Sequence, residues 1–95
     1  MSVSVLILTL NEESNLPGCL ESVKWCDDVV VLDSYSQDRT EEIAKQAGVS
    51  FIQRQFDNYA SQRNYGLHEI KYKYPWVLMV DADEMVSTEL AMEIQ

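Results

Sequence analysis

The sequence predicts an α/β domain built on a parallel sheet, and three patterns carry that prediction. Short runs of consecutive apolar residues alternate with segments of helical period. The runs are aliphatic and β-branched rather than alternating, which suits strands buried on both faces. Each of the first, second and fourth runs ends in a polar, acidic step.

The first run, Val3–Thr9, is β-branched and aliphatic and reads as a strand. After it, Asn15 is placed to cap a helix with Leu16, Leu20 and Val23 on one face, and Pro17 is tolerated in its first turn. Val29–Leu32 follows Asp27-Asp28 as the second strand. Asp38, with Glu41 three residues on, resembles a capping box, and Gly48 sits where a helix C′ residue belongs after Ile43, Ala44 and Ala47. Val49–Gln53 is a third, shorter strand. Asp57 or Asn58 can start a third helix with Ala60, Leu67 and Ile70 near one face, and Asn64 falls on the same stripe. Trp76–Val80 follows Pro75 as the fourth strand, and Ser87 can cap a last helix carrying Leu90 and Ile94. The order β-α-β-α-β-α-β-α implies right-handed crossovers in a parallel sheet. The last helix reaches Gln95 without a stop signal, so the chain is expected to be a piece of something longer; an ordinary frayed end is the alternative.

Length and charge exclude several functions. Ninety-five residues suit a single domain. With 7 basic and 16 acidic side chains the formal net charge is −9, which argues against a nucleic-acid partner. No apolar run approaches the roughly 20 residues of a membrane span, and Met1–Leu10 lacks the basic region and cleavage site of a signal peptide. Cys19 and Cys26 lie in what reads as one helix, about 10 Å apart along its axis, too far for a disulfide. They read as free thiols of a reducing cytosol. His68, the one histidine, reads as a solvated side chain, and Tyr59, Tyr65, Tyr72, Tyr74, Trp25 and Trp76 as packing aromatics. The three glycines, at 18, 48 and 66, form neither a dinucleotide-binding fingerprint nor a phosphate loop.

In open parallel sheets, ligands bind beyond the carboxyl ends of the strands. Three acidic steps are expected to meet there: Asn11-Glu12-Glu13, Asp33 to Asp38, and Asp81-Ala82-Asp83-Glu84. Asp81 and Asp83, two apart in an extended segment, point the same way. A hard cation such as Mg²⁺ or Mn²⁺ takes one or two carboxylates and completes its shell with water and phosphate. Such an ion would let an acidic protein bind a phosphate compound. Asp33 can accept from a base N–H or a ribose hydroxyl, or can cap the loop Ser34–Gln37. Thr9 and Asn11 can offer a hydroxyl and an amide to a nucleoside, with helix capping the alternative for Asn11. Arg63 is a plausible diphosphate partner or one half of a surface ion pair.

Taken together, these segments resemble the N-terminal half of a family 2 glycosyltransferase with the GT-A fold, a Rossmann-like parallel sheet with flanking helices. Val5–Glu13 resembles that family's first strand and turn. Val30-Val31-Leu32-Asp33-Ser34-Tyr35-Ser36-Gln37-Asp38-Arg39-Thr40 resembles its Val-Val-Asp-x-x-Ser-x-Asp-x-Thr signature, departing at Ser34 and Tyr35 where Asp-Gly or Asp-Asn is usual. Ala60–Leu67 resembles its Arg-Asn-x-Gly helix, and Asp81-Ala82-Asp83 its metal-binding Asp-x-Asp. The Asn-Glu-Glu opening and Trp25-Cys26-Asp27-Asp28 look closest to the bacterial lipopolysaccharide core β-1,4-glucosyltransferases.

The resemblance implies a single donor-binding domain over residues 1–95, one half of a longer enzyme. It implies an inverting, metal-dependent transferase using a nucleotide-diphosphate sugar, with UDP-hexose as donor. The acceptor is then a saccharide or lipid-linked molecule of the cell envelope. Asp33 would hold the base, with Thr9, Asn11 and Glu12 lining the nucleoside pocket. Asp81 would contact ribose or sugar, and Asp81 and Asp83 would hold Mg²⁺ or Mn²⁺. Arg63 and Asn64 would support the sugar or diphosphate edge. The acceptor's base is expected beyond Gln95, so the 95-residue chain alone should transfer little sugar. A cytoplasmic site, with peripheral contact at the inner membrane face, is implied as well.

Two other classes compete. A phosphoacceptor receiver domain needs a lone Asp after the third strand and a Lys after a fifth; the third run here ends Gln53-Arg54-Gln55, and no fifth strand with Lys follows. A non-catalytic module cut down from a transferase half would instead associate through its exposed sheet edges.

Overall fold

The computed structural model describes residues 3–83. It shows four strands and three helices in strict alternation: β1 (Val3–Thr9), α1 (Leu16–Ser22), β2 (Val29–Asp33), α2 (Thr40–Gln46), β3 (Ser50–Gln53), α3 (Tyr59–His68) and β4 (Trp76–Asp81). The fourth helix expected from Ser87 onward lies outside the described residues.

All pairings are parallel and the strand order is β3-β2-β1-β4. The chain steps outward from β1 to β3, then crosses back over β1 to place β4 on its other side. The order therefore reverses between β1 and β4. The expected two-sided burial holds at the centre of the sheet. Ser4 through Ile7 and all five residues of β2 are buried. The outer strands β3 and β4 are only partly covered, and Trp76 is 60 % exposed.

The two faces divide the apolar side chains by the pleat. Val5, Ile7, Val29 and Val31 pack with Leu16, Cys19 and Val23 of the α1 region and Ala44 of α2. Leu6, Val30 and Leu32 point the other way, toward Tyr65, Ile70 and Tyr72 in and after α3.

Gly66 sets how α3 sits on that second face. A Cβ at this position would meet the Leu6 Cδ2 methyl at 2.5 Å, so glycine lets the helix backbone come this close to the sheet without displacing that buried leucine. The helix is thereby rotated so that Gln62 and Gly66 are its buried residues. This corrects the expected stripe, since Ala60, Asn64 and Leu67 all face solvent. An apolar period marks the core face only when side chains, not backbone, make the closest contact.

Helix ends show three further differences. Asn58 caps α3 as expected, its side-chain oxygen accepting from Ser61 N at 2.8 Å. Asn15 does not cap α1, because a turn closed on the Glu12 carbonyl already precedes it and puts its backbone near helical values. Its amide instead donates to Glu12 Oε2 at 3.0 Å. No capping box forms at α2: the helix starts at Thr40, which places Glu41 one position too early, and Glu41 pairs with Lys45 at 2.7 Å. Gly48 does follow the α2 C-cap with φ +77°. Neither Cys19 nor Cys26 is in a disulfide, and Cys26 lies beyond the end of α1 rather than within it.

Candidate functional site

The carboxyl ends of β1 and β2 are joined by buried polar contacts. Register pairs Thr9 with Asp33, and the Thr9 hydroxyl donates to Asp33 Oδ1 at 2.6 Å. Asp33 is fully buried. Its carboxylate also accepts from the Ser36 hydroxyl, from Ser36 N at 2.8 Å and from Gln53 Nε2 at 3.2 Å. Its acceptor capacity is thus spent within the fold, on the capping of the loop after β2.

The two loops beyond these strands are laced together. Asn11 adopts φ 53°, donating its backbone N–H to Ser36 Oγ at 2.7 Å while its side-chain oxygen accepts from Gln37 N at 2.8 Å. Glu12 N donates to Thr40 Oγ1 at 2.9 Å, and Glu13 N donates to Asp38 Oδ2 at 3.1 Å. Burial acts to raise the Asp38 carboxyl, but the hydrogen bonds from Thr40 and Glu13 outweigh it and hold it below its ordinary value. Asp33 and Asp38 therefore organise these loops, each accepting from N–H and O–H donors.

At the reversal between β1 and β4 the strand ends open a cleft of about 350 Å³. Leu8, Thr9, Leu10 and Glu12 line it from the β1 side, and Asp81, Ala82 and Asp83 from the β4 side. Ser34, Phe56, Tyr59 and Gln62 close it from the β2 end and α3. Parallel sheets bind ligands at this kind of position. Asp81 ends β4, while Ala82 and Asp83 lie in a turn, so the two carboxylates do not share an extended pleat. Both nonetheless border the same cleft. Ala82, which also lines the cleft, is buried and packs into the core cluster that holds Leu16 and Cys19 of α1.

Tyr59 spans the cleft wall. Its hydroxyl donates to Asp81 Oδ1 at 2.8 Å, and that hydrogen bond, with some burial, raises the phenol above its ordinary value. The Arg63 guanidinium lies 6.0 Å over the Tyr59 ring, and Arg63, Tyr59, Met79 and Asp81 share a small adjoining depression.

Of the residues singled out in the sequence, Thr9, Glu12, Asp81 and Asp83 are brought together on one cleft, and Arg63 adjoins it through Tyr59 and Asp81. Asn11 and Asp33 stand behind the cleft and hold its loops. Asn64 borders a separate groove with Arg54, Ser61 and His68. Sequence reasoning missed Phe56, Tyr59 and Gln62. Their only signal was position, just before and within the first turns of the helix that follows β3.

The carboxylates present suit a particular kind of metal site. Among the described residues no cluster of three or more Asp, Glu, His or Cys side chains could cage an ion. Two carboxylates beside an open cleft fit Mg²⁺ or Mn²⁺ that draws its other ligands from water and a bound phosphate.

The chain matches the sequence profile of Glycosyl transferase family 2 over residues 4–94, and it belongs to that family. It is 38 % identical over 94 residues to an uncharacterized glycosyltransferase, RT0209, of Rickettsia typhi, covering 98 % of this chain and 32 % of that one. It is 33 % identical to the lipopolysaccharide core biosynthesis glycosyltransferase LpsC of Rhizobium meliloti, covering 95 % of this chain and 34 % of LpsC. The crystal structure of S. aureus TarS 1–349 superposes with a TM-score of 0.79 at 26 % identity, over 98 % of this chain and 31 % of that one. A second crystal structure of TarS, in complex with UDP, superposes with a TM-score of 0.67 at 27 % identity, over 87 % of this chain and 28 % of that one. The chain therefore spans about a third of the length of its relatives.

Proposed function

We propose that this chain is the donor-binding domain of a glycosyltransferase that takes its sugar from a nucleoside diphosphate sugar, with UDP-hexose as donor. The observation that carries the reading is the cleft at the β1/β4 reversal, where Thr9, Glu12, Ser34, Asp81 and Asp83 converge beside α3. The UDP complex of TarS supports a uridine nucleotide as the ligand. The likeness to LpsC supports an acceptor in lipopolysaccharide or another envelope saccharide.

In this reading, Thr9, Leu10 and Ser34 border the nucleoside, while Asn11 and Asp33 hold the loops that shape its pocket. Asp81 faces ribose or sugar, exchanging its Tyr59 hydrogen bond for one to a ligand hydroxyl. Asp81 and Asp83 hold Mg²⁺ or Mn²⁺ together with the diphosphate. When bound, the ion supplies Lewis-acid stabilisation of the departing nucleoside diphosphate. Arg63, beside Asp81, supports the sugar or diphosphate edge. Attack by an acceptor hydroxyl on the face opposite the leaving group inverts the anomeric centre, and the base that takes its proton is assigned to a part of the protein outside this chain. The 95 residues alone then bind donor weakly and transfer little.

Calorimetric titration of the chain with a UDP-sugar, with and without Mn²⁺, tests this. Binding that needs Mn²⁺ and is lost in Asp83→Ala is expected. Equal binding without the metal overturns the metal assignment, and no binding in either condition overturns the donor reading.

A further inference from the structure

Gln62 is a buried amide, 3 % exposed, inside the first turns of α3. Its carbonyl oxygen accepts from Arg54 Nη1 at 2.8 Å, and its Nε2 donates to Ser34 Oγ at 3.1 Å. The orientation of this amide is forced. A guanidinium only donates, so the Gln62 oxygen must face Arg54 and its NH₂ must face Ser34. Arg54 is itself held by Asp57 through Nη1 at 3.1 Å and Nη2 at 3.3 Å, and packs 5.2 Å from the Tyr65 ring.

The consequence falls on Ser34. Its hydroxyl oxygen accepts a hydrogen bond from Gln62 on one lone pair and cannot donate back to an NH₂ group. No hydrogen bond runs from its own proton to a described residue, and Ser34 lines the cleft. We infer that Gln62 is a positioning residue that fixes the polarity of the Ser34 hydroxyl, so that the cleft favours a nucleobase offering a carbonyl oxygen there over one offering an amino group. From Arg54, which Asp57 holds by accepting from it, the donors run to Gln62 and on to Ser34, ending in an O–H aimed at the ligand. Uracil and cytosine differ in this respect at the 4-position, carbonyl in one and amino in the other.

This inference rests on the donor-site reading above. Calorimetry with UDP and CDP in Mn²⁺, on the 95-residue wild type, Gln62→Glu and Ser34→Ala, tests it. Wild type is expected to bind UDP about ten-fold more tightly than CDP, the size of one hydrogen bond. In Gln62→Glu the side chain keeps Arg54 as partner but now accepts from Ser34, which turns its proton away from the ligand. UDP affinity should fall about ten-fold while CDP affinity holds or rises, so the preference is lost or reversed. Ser34→Ala, a cleft-lining change that leaves the core intact, should bind both nucleotides with little preference, and it decides the question if Gln62→Glu does not fold. An unchanged UDP:CDP ratio in the folded variants overturns the inference, as does a wild type without preference. A wild type that binds neither nucleotide overturns the donor reading and the inference with it. Loss of fold alone lowers both affinities without moving their ratio.

Discussion

The Thr9 hydroxyl donates to the Asp33 carboxylate across 2.6 Å, joining the ends of the two central strands inside the protein. This bond makes Asp33 a pin of the loop that shapes the cleft. Ser36 and Gln53 fill the remaining acceptor sites of the same carboxylate.

Asp33→Ala is therefore expected to be among the more damaging single substitutions. It strands the buried Thr9 hydroxyl, leaves the half-buried Gln53 amide without this partner and releases the Ser36 turn, at a cost of about 3 kcal/mol. Asp33→Asn should cost less, about 1–2 kcal/mol, because the Thr9 and Ser36 hydroxyls can rotate to face an NH₂ group while the Ser36 N–H and the Gln53 amide must keep an oxygen. Urea unfolding of the two variants checks the order. Equal, negligible costs would place Asp33 outside the stabilising network.

Tyr35 adopts φ 61° and is 56 % exposed, so its side chain contributes little packing against the strain of a left-handed backbone. Tyr35→Gly or Tyr35→Asn should raise stability by about 0.5–1 kcal/mol. A thermal melt reads this directly, and a lowered midpoint for both would contradict it.

Asp38 carries a pH dependence. Its folded-state carboxyl lies below the ordinary 3.8, so its contribution is present above that value and is lost as pH falls through the lower folded value. Asp27, paired with Lys73 and Tyr74, and Asp57, paired with Arg54, are lowered too and act in the same direction. Between neutral pH and pH 3, Asp38→Asn should flatten the fall in melting temperature relative to wild type. An identical slope would show that the Glu13 and Thr40 contacts do not depend on the charge.

The sheet was legible because its central strands are apolar on both faces, and Val3–Thr9 and Val29–Leu32 could hardly be buried otherwise. The closeness of Asp81 and Asp83 to one cleft was legible too, although the pleat argument for it fails, since the strand stops at Asp81. What could not be read was rotation and pairing. Gly66, not an apolar stripe, decides which face of α3 is buried, and this carries Gln62 inward and Asn64 outward. The hydrogen bonds that hold Asp33 and Asn11 within the fold could not be read either, because their partners lie about two dozen positions away or across a turn. Those partners exist only once the strands are in register.

The proposed function requires the diphosphate and its ion to sit at the β1/β4 reversal. Paramagnetic broadening of backbone amide signals by Mn²⁺ in the presence of UDP tests it most directly. Selective loss of the Leu10, Ala82 and Asp83 signals is expected, with Lys24, Cys26 and Gly48 at the opposite end of the sheet unaffected. Broadening centred on that opposite end, or spread evenly over the chain, would contradict it.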